Sequence, residues 1–311
     1  MSFSEAVAGS TGLEIGSRRF LHPGPLRWLR ALGWGLVLFF VFTLVDAAGM
    51  IAPEKLFKGQ GPLIALSTLA ICVAGYGLYA GAVRLAEGRW PSELALRTAL
   101  PELAAGMGAG AVMLTVIVGL LIGFGLYDVT GPRVSSAWDM VSVGIVSGFM
   151  EELIFRAIVL RLLMRAFGAW PALTLSAALF GVMHLANPNA TPMAAIAIAV
   201  EAGLMLASFY LLTGRIWVSV GAHAAWNFTQ GWIWGARVSG LEVKESLFLS
   251  TPKAGAPEWL SGGAFGPEAS VPAMVVGTGV AIVVLYWAWK KGNFKAAPDA
   301  PKGEASEVQA V

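Results

Sequence analysis

The chain has 311 residues, of which 57% are hydrophobic and 13% charged, and its mean hydropathy is +0.70. Soluble domains carry about 25% charged residues, so too few polar side chains remain here to cover a water-soluble globule, and a polytopic membrane protein is implied. The formal net charge of +2 excludes an electrostatic footprint for nucleic acid, and the single cysteine, Cys72, excludes an internal disulfide and a cysteine-based zinc site.

The first 30 residues are polar and include Arg18, Arg19, Arg27 and Arg30. No short apolar stretch with a cleavage site follows Met1, so no cleaved signal peptide is expected. Apolar runs then follow at about 31–52, 62–85, 103–126, 138–163, 171–186, 192–212, 217–234 and 272–289. A helix needs about 20 residues to cross the hydrocarbon core. These runs predict an all-α protein with about eight transmembrane helices, the fifth being the shortest. Pro53, Pro91, Pro101, Gly131-Pro132, Pro171, Pro188 and Gly214 punctuate the connections. The stretch 235–271, rich in Gly, Pro and Ser, is expected to be an extracytoplasmic loop, either a surface lid or disordered. The polar 292–311 tail reads as a disordered cytoplasmic segment.

Charge placement orients the helices. With eight spans and the N-terminus inside, the cytoplasmic side receives 14 Lys and Arg residues and the opposite side 6, with Arg156 left inside a span. That bias follows the positive-inside rule and predicts both termini on the cytoplasmic side. The twelve tryptophans suit aromatic belts at the two interfaces. Gly106 and Gly110, Gly144 and Gly148, and Gly231 and Gly235 stand four apart, the spacing that lets helix backbones approach closely in lipid.

A charge at bilayer depth costs at least about 2.5–3.5 kcal/mol, so each one needs a partner or a role. The fourth run holds the densest set, Glu151, Glu152 and Arg156 in MEELIFRAIVL. Glu152 and Arg156 are four apart on one helical face and are expected to pair. Glu151 is turned about 100° from Glu152, so a structural ion pair leaves it unexplained. His184 in LFGVMHLANP follows Phe180 by four residues, and His223 in VSVGAHAAWNF precedes Asn227 by one turn. A lone membrane histidine is more often a hydrogen-bond bridge between helices. Two histidines, a spare glutamate and an asparagine on three separate spans point to a site.

EELIFR fits an EExxxR motif, FGVMH an FxxxH motif and HAAWN an HxxxN motif, in that order on successive helices. The chain thereby resembles the CAAX protease and bacteriocin-processing (CPBP) family, which includes the type II CAAX prenyl endopeptidases and the Abi proteins, over about residues 140–228. The resemblance implies a catalytic core at 138–234, preceded by three accessory helices at 31–137. It implies hydrolysis of a peptide bond inside the membrane, on a membrane-associated substrate such as a prenylated CAAX-like or leader-bearing peptide. A prokaryotic cell membrane is the expected location. Glu151 would be the general base, His184 would help to hold the water, and His223 and Asn227 would polarise the scissile carbonyl. Glu152, Arg156 and Phe180 would support them.

No cofactor is expected on this reading. The rival is zinc held by Glu151, His184 and His223 with an open position for water. The chain lacks HExxH, carries only Asp46 as an aspartate deep in a span, and shows no serine-protease motif around Ser147. Two other classes stay open, a proton-coupled transporter using Glu151, Glu152, His184 and Glu201 as a relay, and a non-catalytic scaffold or immunity protein. Glu201 is read as a partner of Arg215 or as a residue at the edge of the site.

Overall fold

Backbone amides in hydrocarbon have no water to bond, so an apolar run must satisfy its own hydrogen bonds as a helix. The computed structural model describes residues 13–16, 18–133 and 135–297. Eight main helices form among them: α1 (Arg27–Leu56), α2 (Gly61–Ala86), α3 (Ala99–Gly123), α4 (138–167), α5 (Ala169–Met183), α6 (Pro192–Thr213), α7 (217–233) and α8 (Val271–Lys290). The chain is an integral, multi-pass membrane protein. Leu36, Phe40 and Leu44 on α1 and Val275, Ile282 and Val283 on α8 are exposed, as lipid-facing apolar side chains are.

Six of the helices are long and apolar enough to cross a membrane: α1, α2, α3, α5 with its extension to Ala186, α6 and α8. The other two expected spans fall short of that measure for physical reasons. Helix α4 carries Glu151, Glu152, Arg156, Arg161 and Arg165, and α7 is short.

Small residues bring α7 to the centre of the bundle. Gly106 and Gly110 of α3 lie directly on the Val218 and Ala222 backbone, where a Cβ at either position would overlap it. Gly144 and Gly148 of α4 rest on Ala224, from the other side of α7. Both pairs therefore serve helix contact, as their spacing predicts. The third pair splits between two neighbours. Gly231 faces Met140 of α4, whereas Gly235 approaches Phe248 in the following loop.

That loop is ordered, which corrects the disordered reading. Among the described residues the strands are β1 (Tyr127–Thr130) and β2 (Leu249–Pro252), antiparallel, with Tyr127 opposite Pro252 and Thr130 opposite Leu249. They tie the α3–α4 connection to the 235–271 segment. Leu247 N–H donates to Trp232 O at 2.7 Å, Phe248 N–H to Ile233 O at 3.0 Å, and Phe265 is buried. Hydrogen bonds and a buried aromatic outweigh the flexibility that the Gly/Pro/Ser composition suggests.

Residues 293–295, which lie within the tail expected to be disordered, make tertiary contacts. Asn293 Nδ2 donates to Leu211 O at 2.8 Å, the Phe294 ring lies 4.5 Å from that of Trp170, and Lys295 Nζ donates to Leu13 O at 2.5 Å. Residues 298–311, and 1–12 at the other end, lie outside the described residues.

A buried ionic cluster fixes the α2–α3 connection against α4. Glu87 accepts from Arg161 Nη1 and Nη2 at 2.9 and 2.7 Å, and Arg89 donates to both Glu87 and Glu93. Against burial, which would raise it, the Arg89 guanidinium holds the Glu93 carboxyl down at about 2. This cluster satisfies its own charges and sits apart from the motif residues.

Candidate active site

Where α4 carries its polar residues, its backbone departs from regular α geometry. Ser147–Glu151 and Leu153–Leu160 form π-helical turns, which rotate side chains out of the ordinary 3.6-residue register and recur at functional sites. Glu152 and Arg156 are buried there, with Arg156 Nε 3.0 Å from Glu152 Oε2. Arg156 Nη2 also donates to Ala202 O on α6 at 3.2 Å, and the guanidinium lies 4.7 Å above the Phe180 ring of α5. The expected Glu152–Arg156 pair is therefore present and joins three helices.

The second Glu152 oxygen reaches α7. Oε1 lies 2.8 Å from His223 Nδ1, so Arg156, Glu152 and His223 form one chain of contacts. A carboxylate on Nδ1 fixes the ring and leaves Nε2 for other chemistry. His184 is set in the same way by its own helix. Its Nδ1 stands 2.7 Å from Phe180 O. A carbonyl can only accept, so Nδ1 carries the hydrogen, and in the neutral ring Nε2 is then the acceptor. Phe180 packs between the two histidines, 4.8 Å from the His184 ring and 6.1 Å from that of His223. One turn beyond His223, Asn227 Nδ2 donates to Ser147 Oγ at 2.9 Å, and that hydroxyl donates to Val143 O at 2.8 Å.

These side chains meet at a cavity with a water-accessible volume of about 20 Å³, bordered by Phe180, His184, His223, Asn227, Glu201 and Glu268 among others. That is close to the space of a single water. His184 is half-buried, while His223 and Asn227 are 8% and 7% exposed. Glu151 is not among the lining residues. It is half-buried, its Oε2 is enclosed without a hydrogen-bond partner, and its charge acts on His223, Arg156 and Asp46. Four of the named residues thus border one cavity, Glu152 and Arg156 stand behind His223, and Glu151 is a neighbour of that framework.

A zinc centre needs three protein donors within reach of one ion. Among the described residues no three His, Cys, Asp or Glu side chains stand close enough to hold an ion.

Two parts of the cavity wall depart from the sequence reading. Arg215 pairs with Glu102 at 2.5 Å, so the expected Glu201–Arg215 partnership is replaced by one across α3 and the α6–α7 turn. Glu201 instead faces the cavity from the π-helical turn Ala199–Gly203 of α6. Glu268 comes from the 235–271 segment, where no periodic pattern marks it. Its oxygens accept from Gln230 Nε2 and Ser239 N–H. Burial pushes the Glu268 carboxyl up to about 8, against the lowering effect of the Ser239 bonds.

Residues 133–229 match the family model of the type II CAAX prenyl endopeptidase Rce1-like proteins. The matched segment holds α4 to α6, α7 as far as residue 229, and all three motifs, so the resemblance carried by EELIFR, FGVMH and HAAWN holds. No curated protein and no solved structure matches the chain.

Proposed function

With a CAAX-type endopeptidase family matched across α4 to α7, we propose that the protein is an intramembrane endopeptidase that hydrolyses a membrane-associated peptide through a glutamate-activated water. The observation that carries this reading is the convergence of His184, His223 and Asn227 on a cavity of one-water size. In it Glu151 takes a proton from the water and the His184 Nε2 lone pair accepts the water's other hydrogen. The attacking oxygen adds to the scissile carbonyl. The developing oxyanion receives hydrogen bonds from Asn227 and from an imidazolium at His223, which the Glu152 carboxylate stabilises through Nδ1. Arg156 offsets the second charge on α4 and keeps Glu152 in place.

The substrate we propose is a prenylated CAAX-like peptide, whose lipid would lie among the exposed apolar side chains of the bundle. The test is to incubate purified protein in liposomes with a farnesylated CAAX peptide and follow release of the C-terminal tripeptide by mass spectrometry. Cleavage should persist after exhaustive chelation. Asn227→Ala should be slower by about 10²–10³, the usual loss for one oxyanion donor. A folded wild-type protein that cleaves neither prenylated nor unprenylated peptides would overturn the peptidase reading. Activity lost to a chelator and restored by zinc would overturn the metal-free mechanism.

We also propose eight crossings with both termini cytoplasmic, supported by the 14-to-6 division of basic residues. Reporters placed after Val311 and in the exposed 253–256 turn should give opposite signals. Matching signals would reject this topology.

A further inference from the structure

Peptide hydrolysis needs a proton for the departing amine as well as a base for the water, and the motif residues leave that donor unassigned. His184 Nδ1–H is held by Phe180 O, and the His223 imidazolium, held by Glu152 through Nδ1, is committed through Nε2–H to the oxyanion. The Asn227 amide does not release a proton near neutral pH. Glu268 is tied by both oxygens to the cavity wall, through Gln230 and Ser239, whereas a donor needs a carboxyl free to turn to the departing amine. Glu151 is already engaged as the base that takes the water's proton in the first step.

Glu201 differs from all of these. It is 0% exposed, it lines the cavity, and neither carboxyl oxygen has a hydrogen-bond partner. Among the described residues no cation pairs with it: Arg215 is turned to Glu102, and Arg156 to Glu152 and Ala202. The ionisable group that acts on it is another acid, Glu268. A carboxylate enclosed without a donor or cation is costly, and such a group keeps its proton instead. The backbone enforces the placement. The π-helical turn Ala199–Gly203 turns Glu201 inward, and Gly277 of α8 closes on its Cα and Cβ so tightly that no side chain fits between.

We propose that Glu201 is a further catalytic residue of the hydrolysis, a neutral carboxylic acid that gives its proton to the departing amine nitrogen. The inference rests on the peptidase reading above. The water's O–H bond breaks and its proton goes to Glu151 while the oxygen bonds to the carbonyl carbon. The C–N bond then breaks, its electron pair stays on nitrogen, and nitrogen takes the Glu201 proton. Glu201 is reprotonated by the proton held on Glu151 as the products leave. One water and one peptide bond become one acid and one amine.

The test compares two substrates of the same sequence, a prenylated peptide amide and an ester with a phenolate leaving group that departs without protonation. Glu201→Gln should lower kcat by about 10²-fold or more on the amide, the usual contribution of general acid catalysis, and leave the ester rate nearly unchanged. In the wild type, infrared spectra at pH 7 should show the C=O band of a protonated carboxyl that disappears in Glu201→Gln. Equal losses on amide and ester, no loss on the amide, or no such band would overturn the proposal. Should Glu201→Gln fail to fold, wild-type rates across anilides of rising leaving-group basicity decide instead. A flat series supports the donor, and a steep decline overturns it. A wild type that cleaves neither substrate rejects the peptidase reading itself, and the donor role with it.

Discussion

Glu151→Gln should abolish peptide cleavage while folding and membrane insertion stay intact. The amide preserves size and shape but has no basic oxygen, and removing a positioned general base costs about 10²–10⁴ in rate. Stability should be largely spared because Glu151 forms no ion pair with any described residue and acts on Arg156 and His223 only from a distance. It is half-buried, its Oε2 accepts no hydrogen bond, and the ion pair of α4 belongs to Glu152. Neutralising it even removes a negative charge beside Asp46. The measurement is cleavage of a farnesylated peptide alongside a melting curve of the detergent-solubilised protein. Turnover at the wild-type rate would eliminate Glu151 as the base and turn attention to the acids that line the cavity.

Arg156→Ala should reduce both the yield of folded protein and its activity. The guanidinium is 1% exposed and does three things at once: it neutralises Glu152, donates to Ala202 O on α6, and covers the Phe180 ring. Removing one member of a buried pair typically costs about 3–5 kcal/mol, because the remaining charge is stranded. Here the stranded group is the carboxylate that orients His223, so a fraction that still folds should be slow as well as unstable. Arg156→Lys should restore part of the stability, since it returns the charge without the forked donor. Unchanged melting and cleavage in Arg156→Ala would show that the α4 pair is dispensable.

Much of this site is legible in the sequence because its residues are chemical anomalies in an apolar chain. EELIFR, FGVMH and HAAWN stand out against long hydrophobic runs, and helical spacing alone puts Glu152 beside Arg156 and Asn227 one turn from His223. Spacing likewise marks Gly106 and Gly110 as a contact face. Two features are hidden for physical reasons. The π-helical turns at Ser147–Glu151 and Ala199–Gly203 break the 3.6-residue register from which faces are inferred, so the direction of Glu201 cannot be read from its neighbours. Glu268 sits in a segment whose composition resembles a flexible loop, and only its bonds to Gln230 and Ser239 reveal it as part of the cavity wall.

By itself the sequence determined the environment, the helical class and the family resemblance of this protein. Those depend on composition, local periodicity and short motifs: a chain with 13% charged residues cannot dissolve as a globule, and apolar runs in lipid have to be helical. The tertiary structure alone decided which acids share the histidine cavity and which cations they lack. Glu201 and Arg215 are close enough along the chain to suggest a pair, yet Glu102, 113 positions from Arg215, takes that arginine. The preference arises from helix packing across α3 and α7, where glycines allow backbone contact that brings those ends together. Such long-range choices are made by the whole bundle, and no local pattern encodes them.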